Sequence, residues 1–278
     1  MLIARGLISL RARANLTQTQ LAKEAGCGKA MVGRYEDWKD RSRVKWATVK
    51  GMAEACKASP EERDALVALA KIQGEGWWVD RGVPELLDPL LSFESAGDHE
   101  HVFASGLVPG LLQTRAYAQA LHEAQMVRAS REEVDRHVEI RMMRQQALNR
   151  DDFALWVVLD EAVFKRVIGN RAVMAEQLAH LEEAQRQKQI DIQVLPFASG
   201  AHAAGAGAPF VTIGREDAAN PLASMSVVYL ETHDRGIYLD NPQDIAKYKM
   251  IFDYLRSQAV DRDVSTEMLA AARQDYAS

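Results

Sequence analysis

The stretch of residues 16–36, LTQTQLAKEAGCGKAMVGRYE, constrains the chain most, because two short helical patterns meet at Gly26 with almost no chain between them. Thr17 suits the N-cap of the first, and Leu21, Ala22 and Ala25 share one face at helical spacing. Gly26 supplies the positive φ that stops a helix and turns the chain sharply. After Cys27 and Gly28 a second helix runs through Tyr35, burying Val32 and Tyr35 while Lys29, Ala30, Gly33 and Arg34 face out. Helix, tight glycine turn and a second helix with a small, cationic outer face predict a helix-turn-helix. The plainer alternative is an αα-hairpin in a helical core, and the flanking residues weigh against it.

Upstream, Ile3, Leu7, Leu10 and Ala14 line one helix face, and Arg5, Arg11 and Arg13 lie off it, available to phosphates. Asn15 stands where that helix ends and tolerates a left-handed cap. Downstream, DWKDRSRVKW reads as a polar, basic loop, and residues 46–56 form a fourth helix with Val49, Met52 and Ala53 inward. Ser59, with Glu62 three residues on and Pro60 at the first helical position, marks a capping-box start for a fifth helix carrying Leu66, Leu69 and Ala70. Charge separates this part from the rest. Residues 1–58 hold 12 Lys and Arg against 5 Asp and Glu, a net of +7; the remainder holds 22 against 34, so −12, and the whole chain is −5. Such asymmetry predicts a basic, DNA-facing module joined to an acidic domain with another task.

At 278 residues the chain is long enough for about two domains, and 47% hydrophobic with 26% charged residues is a globular balance. No apolar run approaches the roughly 18 residues a bilayer requires. The Arg-interrupted N-terminus lacks the unbroken apolar region of a signal peptide, so a cytoplasmic protein, nucleoid-associated when DNA-bound, is expected and no membrane partner. The two cysteines, Cys27 and Cys56, make neither a disulfide framework nor a metal site, and both read as small packing residues.

After Lys71 the sequence GEGWWVDRGVP changes character, which sets the expected boundaries: an all-α five-helix domain over 1–73, a linker over 74–85, and an α+β domain over 86–278. Trp77 and Trp78 are expected to anchor the linker, a ligand platform being the alternative. The second domain begins with a helix over 86–96 and a short strand ending at Gly106, followed by a Pro109-Gly110 turn and a further helix. A long amphipathic helix over 130–148 has Val134, Val138, Met142 and Met143 inside. FALWVVL (153–159) is a continuous apolar run, hence a buried central strand. Helices over 161–168 and 170–187, a half-buried strand over 190–195, strands over 210–213, 227–231 and 236–239, and helices over 241–259 and 265–274 complete a small mixed or antiparallel sheet.

The run Leu16-Thr17-Gln18, Leu21-Ala22, Gly26, Val32, Tyr35-Glu36 resembles the lambda-repressor-like helix-turn-helix family often called the XRE type. A second, ordered set extends the resemblance over nearly the whole chain: Gly76-Trp77-Trp78, VPGLLQT (108–114), Arg141-Met-Met-Arg144-Gln145, Leu159-Asp160-Glu161, Gln177-Leu178, VLPF (194–197) and VYLE (228–231). These motifs resemble actinobacterial regulators that join an XRE-type domain to an antitoxin-like C-terminal domain. The resemblance implies a transcriptional regulator in which Gln18 caps the first motif helix and contacts phosphate, with Thr19 beside it. It further implies that Lys29, Ala30, Gly33 and Arg34 meet base edges or backbone in the major groove of double-stranded DNA. Arg and Lys reach guanine O6 and N7, and small residues let the helix enter the groove. Arg41 and Arg43 suit phosphate contacts that set register. Gly28 departs from the family, which usually places Ser or Thr there; glycine caps only slightly less well. Many such regulators sit beside a gene for a small partner protein, so a homodimer, a small protein partner and an unknown small-molecule effector are all expected, with Trp77, Trp78, Gln113, Arg141, Arg144, Glu161 and Glu231 as candidate regulatory or partner-binding residues.

Asp160, Glu161 and Glu231 end strands and could act as acids or hold a metal, but Asp160 as a helix cap with Glu161 in the first turn is the simpler reading. His99 and His101 share a strand face without a third ligand nearby in sequence, so no metal site is expected. The loop 200–209 is glycine-rich without the Lys-Ser/Thr of a phosphate cradle. No nucleophile elbow occurs. Arg141 and Arg144, one turn apart, suit an internal ion pair or an acidic partner. The expectation is therefore a dimeric DNA-binding regulator, not an enzyme, without cofactor. An antitoxin-like protein that mainly neutralises a small partner, or a ligand-binding or enzymatic C-terminal domain, are the alternatives.

Overall fold

The computed structural model describes residues 2–37, 44–75, 83, 87–216, 224–232 and 235–278. Two units are distinguished, Met1–Gly82 with Arg215–Met225, and Val83–Gly214 with Ser226–Ser278. In the first, α1 (Leu2–Arg13), α2 (Gln18–Glu24), α3 (Lys29–Glu36), α4 (Trp46–Ala55) and α5 (Pro60–Glu75) enclose Leu7, Leu10, Leu21, Val32, Val49, Met52 and Leu66, none of which reaches solvent. The helix stops are local and follow from the sequence. Asn15 (φ 55°) and Gly26 (φ 63°) are left-handed, and the N–H groups of Leu16 and Cys27 reach back to Arg11 O (3.1 Å) and Ala22 O (2.9 Å). Lys57 (φ 56°) closes α4 in the same way despite its Cβ, with Ala58 N–H donating to Ala53 O at 3.1 Å. Thr17 with Gln20 and Ser59 with Glu62 form the capping boxes that start α2 and α5. A Cβ at Gly26 would meet nothing within 4 Å, so Gly26→Ala is expected to cost only the left-handed backbone penalty, about 1–2 kcal/mol by urea denaturation.

The second unit is built on a six-stranded sheet: β1 (His99–Ala104), β2 (Ala154–Asp160), β3 (Ile190–Leu195), β4 (Phe210–Arg215), β5 (Met225–Glu231) and β6 (Gly236–Leu239), in the order β3-β2-β1-β4-β5-β6. β2 lies between β1 and β3, parallel to both, which is why its apolar run is continuous; β4 is antiparallel to β1, and β6 to β5. The sheet is therefore mixed. One face carries Val102, Val157, Ile192 and Val194 against α7 (Arg115–Gln125), α10 (Arg171–Ala184) and α12 (Arg262–Ala277), through Tyr117, Leu178, Leu181 and Leu269. The other carries Phe103, Val158, Leu195, Phe210 and Val228 against Phe252 and Leu255 of α11 (Pro242–Gln258). α6 (Asp88–Ala96), α8 (Arg131–Arg144) and the short α9 (Ala162–Lys165) complete the unit, with 3-10 turns at Gly110–Leu112, Gln145–Asn149 and Phe197–Ser199.

Three differences from expectation bear on the packing. β1 runs from His99 to Ala104, short of the expected end at Gly106, and Glu100 within it is buried in the sheet face despite its charge. α12 starts at Arg262 on an Asp261 cap; Ser265 is inside, its Oγ accepting the Val194 N–H at 2.9 Å. On α8 the residue buried beside Val134 and Val138 is Ile140, whereas Met142 and Met143 are only half-buried.

Candidate nucleic-acid interface

On α3, Lys29, Ala30, Met31 and Arg34 are exposed and Gly33 is half-exposed, while Val32 and Tyr35 are buried. The split follows helical periodicity: two inward residues anchor the helix, and the outer face carries two cations among small side chains. The spaces beside Gly28 and Gly33 are open within 4 Å of a would-be Cβ. Tyr35 fixes the far end, its hydroxyl accepting the Lys45 N–H at 2.9 Å, and the Arg34 guanidinium lies 5.1 Å over its ring. Thr19 is exposed on α2. Arg41 and Arg43 lie outside the described residues, as do Trp77 and Trp78.

The cations behind this face are more committed than the sequence suggested. Arg11 binds Glu36 through Nε at 2.5 Å and Nη2 at 2.9 Å, and Gln18 Nε2 donates to the same carboxylate at 2.9 Å. Glu36 is buried, and its hydrogen bond holds the Arg11 guanidinium above its ordinary range. Arg13 pairs with Glu62 at 2.5 Å. Arg11 and Arg13 are thus tied to carboxylates rather than free for phosphates. The cap of α2 is Thr17, and the Gln18 side chain braces α2 against α3. Nothing in local periodicity signals this network, because Arg11 and Glu36 are 25 residues apart.

In the C-terminal domain the motif residues converge on the turn after β1. Gln113 Nε2 donates to Val108 O (2.7 Å), Gln145 Nε2 to Gln113 O (2.7 Å) and Gly110 O (3.0 Å), and Gln177 exchanges two hydrogen bonds with Leu112 O and Thr114 N. Gln113 and Gln177 are buried and hold this turn's backbone groups, which have no sheet or helix partner. Asp160 Oδ1 accepts the Ala162 N–H at 2.8 Å, and Glu161 Oε2 accepts the Phe197 N–H at 2.9 Å with Lys165 at 3.6 Å. Both carboxylates therefore fasten the ends of β2 and β3. Glu231 is exposed at the end of β5. His99 and His101 are neighbours, 5.3 Å between ring centroids, but His101 stacks on Phe252 at 4.8 Å and burial pushes it down to about 4. Among the described residues no group of three His, Cys, Asp or Glu could hold a metal ion.

Arg144 forms a buried pair with Glu94, Nη2–Oε1 at 2.5 Å with Nε 2.8 Å from both oxygens. Arg150 closes the end of α6, donating to the carbonyls of Glu94, Ser95 and Gly97. Neither partner segment was recognisable from sequence. Glu100 sits beside this pair, and burial and the Glu94 charge push its carboxyl up to about 8. A carboxyl raised in the folded state takes up a proton on folding, so its contribution declines as pH rises from the unfolded value, about 4.3, to about 8. Glu100→Gln is expected to abolish that decline: thermal melts should show the variant's advantage over the parent growing between about pH 5 and 8. An advantage independent of pH would contradict it.

The fold and these sites define a helix-turn-helix domain followed by an α+β domain of mixed sheet. Residues 3–66 match the model of a helix-turn-helix domain, and residues 87–271 match a family described as a domain of unknown function, DUF5753. The chain belongs to that DUF5753 family. No curated protein and no solved structure matches it. Among the described residues, no helix is long and apolar enough to cross a membrane.

Proposed function

We propose that the chain is a sequence-specific, DNA-binding transcriptional regulator of the XRE type, working in the cytoplasm as a homodimer. The observation that carries this reading is the outer face of α3, where Lys29, Ala30 and Arg34 stand in solvent and Gly33 leaves room for a close approach. A guanidinium and an ammonium on such a face match guanine O6 and N7, and the +7 charge of residues 1–58 supplies attraction to phosphate. One helix with few reading side chains discriminates poorly alone, so pairing through the C-terminal domain would set two recognition helices about one helical turn apart. The C-terminal domain is read as a sensing and assembly domain, not an enzyme: Asp160, Glu161 and Gln113, three of its candidate polar groups, are occupied with backbone hydrogen bonds. Its input is a ligand or a small protein encoded nearby, as in antitoxin-like regulators. Selection of random duplexes by the full-length chain is expected to enrich a near-palindrome with half-sites about 10 bp apart. Enrichment of no sequence would remove the regulator reading, and enrichment of a single half-site would remove the dimer.

A further inference from the structure

α11 packs on the sheet through Phe252 and Leu255 and leaves its other side in solvent. Ala246, Lys247, Met250, Asp253 and Tyr254 are all exposed there. Positions 246 and 253, like 247 and 254, are seven residues apart, so with Met250 between them they form one stripe along the helix. Met250 is 54% and Tyr254 60% exposed. Two large apolar side chains one turn apart, rimmed by charges, make a contact surface rather than a scatter of exposed residues.

The order of residues along the stripe states what fits it. Three residues beyond Met250 stands an acid, Asp253, and three residues before it a base, Lys247; four beyond stands Tyr254, and four before it Ala246. An antiparallel copy of the helix, related by a two-fold axis at Met250, sets each of these positions against its opposite. Lys247 then faces Asp253 of the second copy, and Asp253 faces the second copy's Lys247, each about 4.5 Å along the helix from the axis. Tyr254 lies over Ala246 of the second copy, a large side chain against a small one. A parallel copy would set lysine on lysine and tyrosine on tyrosine. Asp253 also touches Arg256 at 3.5 Å, but its side chain is 71% exposed and open to a second cation.

Apolar surface continues past both ends of α11. Phe197, 57% exposed, belongs to the turn whose Ser199 Oγ donates to Gln258 O at the C-terminal end. Ile237, 37% exposed, precedes the N-terminal end and shares a sheet face with Leu239, which packs against the Phe252 cluster. Antiparallel pairing brings the Phe197 end of one copy alongside the Ile237 end of the other, extending the contact toward the roughly 800 Å² per partner of a stable interface.

We propose that α11 is the homodimer contact, pairing antiparallel with α11 of a second copy about a two-fold axis at Met250. This assignment rests on the homodimer of the proposed function and gives it a surface.

Sedimentation equilibrium of the full-length chain without DNA, in about 50 mM salt so that surface charges are little screened, is the test. The parent is expected to be a dimer. Met250→Arg, Lys247→Glu and Asp253→Lys are each expected to raise the dimer dissociation constant at least about 10-fold, because the two-fold axis repeats every mismatch. All three positions are exposed, so far-UV circular dichroism of the variants is expected to match the parent. An equimolar mixture of Lys247→Glu and Asp253→Lys is expected to dimerise again, since every facing position in the mixed pair holds opposite charges. The double variant is expected to do so by itself. A dimeric parent that all three substitutions leave unchanged overturns this surface, keeps the homodimer and leaves the face to another protein. A monomeric parent overturns the homodimer and this contact with it. Single swaps that lose the dimer without recovery in the mixture overturn the pairing as well.

Discussion

Arg144→Met is expected to lower the stability of the C-terminal domain by about 3–5 kcal/mol, the usual cost of removing one partner of a buried ion pair. The side chains of Arg144 and Glu94 are 10% and 2% exposed, so the carboxylate left behind cannot be rehydrated without opening the domain. Glu100 does not add to the loss, because burial and the Glu94 charge already keep its carboxyl protonated at neutral pH. The expected result is a shift of the denaturant midpoint at unchanged slope, with far-UV circular dichroism of the folded baseline preserved. Adding Glu94→Leu to Arg144→Met should recover most of the loss, since two well-packed apolar residues can replace an ion pair at little cost. A loss below about 1 kcal/mol for Arg144→Met would mean that the pair is more hydrated than its burial indicates.

The second large effect concerns recognition. Arg34→Ala is expected to cost about 1–3 kcal/mol of binding on the preferred duplex and much less on an unrelated one, because a base-edge contact carries the discrimination. Lys29→Ala should weaken both duplexes if its ammonium meets phosphate, or only the preferred one if it meets a base. Neither change touches the core of the domain: Leu7, Leu10, Leu21 and Val32 stay buried whatever stands on the outer face. Urea denaturation of both variants should therefore superimpose on the parent, which separates a recognition defect from misfolding. Gln18→Ala behaves differently. It removes a donor from buried Glu36, so any loss of affinity comes with a loss of stability.

The elements of the N-terminal domain were legible because each signal is local: a cap three residues from its partner, a left-handed residue at a helix end, an apolar residue every third or fourth position. The same holds for β2, whose unbroken apolar run marked a buried central strand, although the parallel direction of both neighbours came only from the fold. What sequence did not reveal lies in pairs separated along the chain. Arg144 and Glu94 are 50 residues apart and Arg11 and Glu36 are 25 apart, and neither Glu differs in sequence context from a solvated one. Glu100 is the sharpest case: a glutamate between two histidines carries no sign of burial, yet Glu100 is 1% exposed and close enough to Glu94 and Arg144 to feel both charges. The glutamines form an intermediate case. Gln113, Gln145 and Gln177 stood out as part of a motif set, but only the fold shows that they serve one turn, from Val108 to Thr114.

The central claim is that α3 reads DNA, and affinity of the full-length chain for a selected duplex and its scrambled counterpart tests it most directly. Both are to be measured by fluorescence anisotropy between about 50 and 200 mM salt. The account predicts that affinity for both falls linearly in log salt, with the selected duplex bound at least about 10³-fold more tightly throughout, and that Arg34→Ala removes most of that ratio. Equal affinity for the two duplexes, or a ratio unchanged by Arg34→Ala, would contradict it.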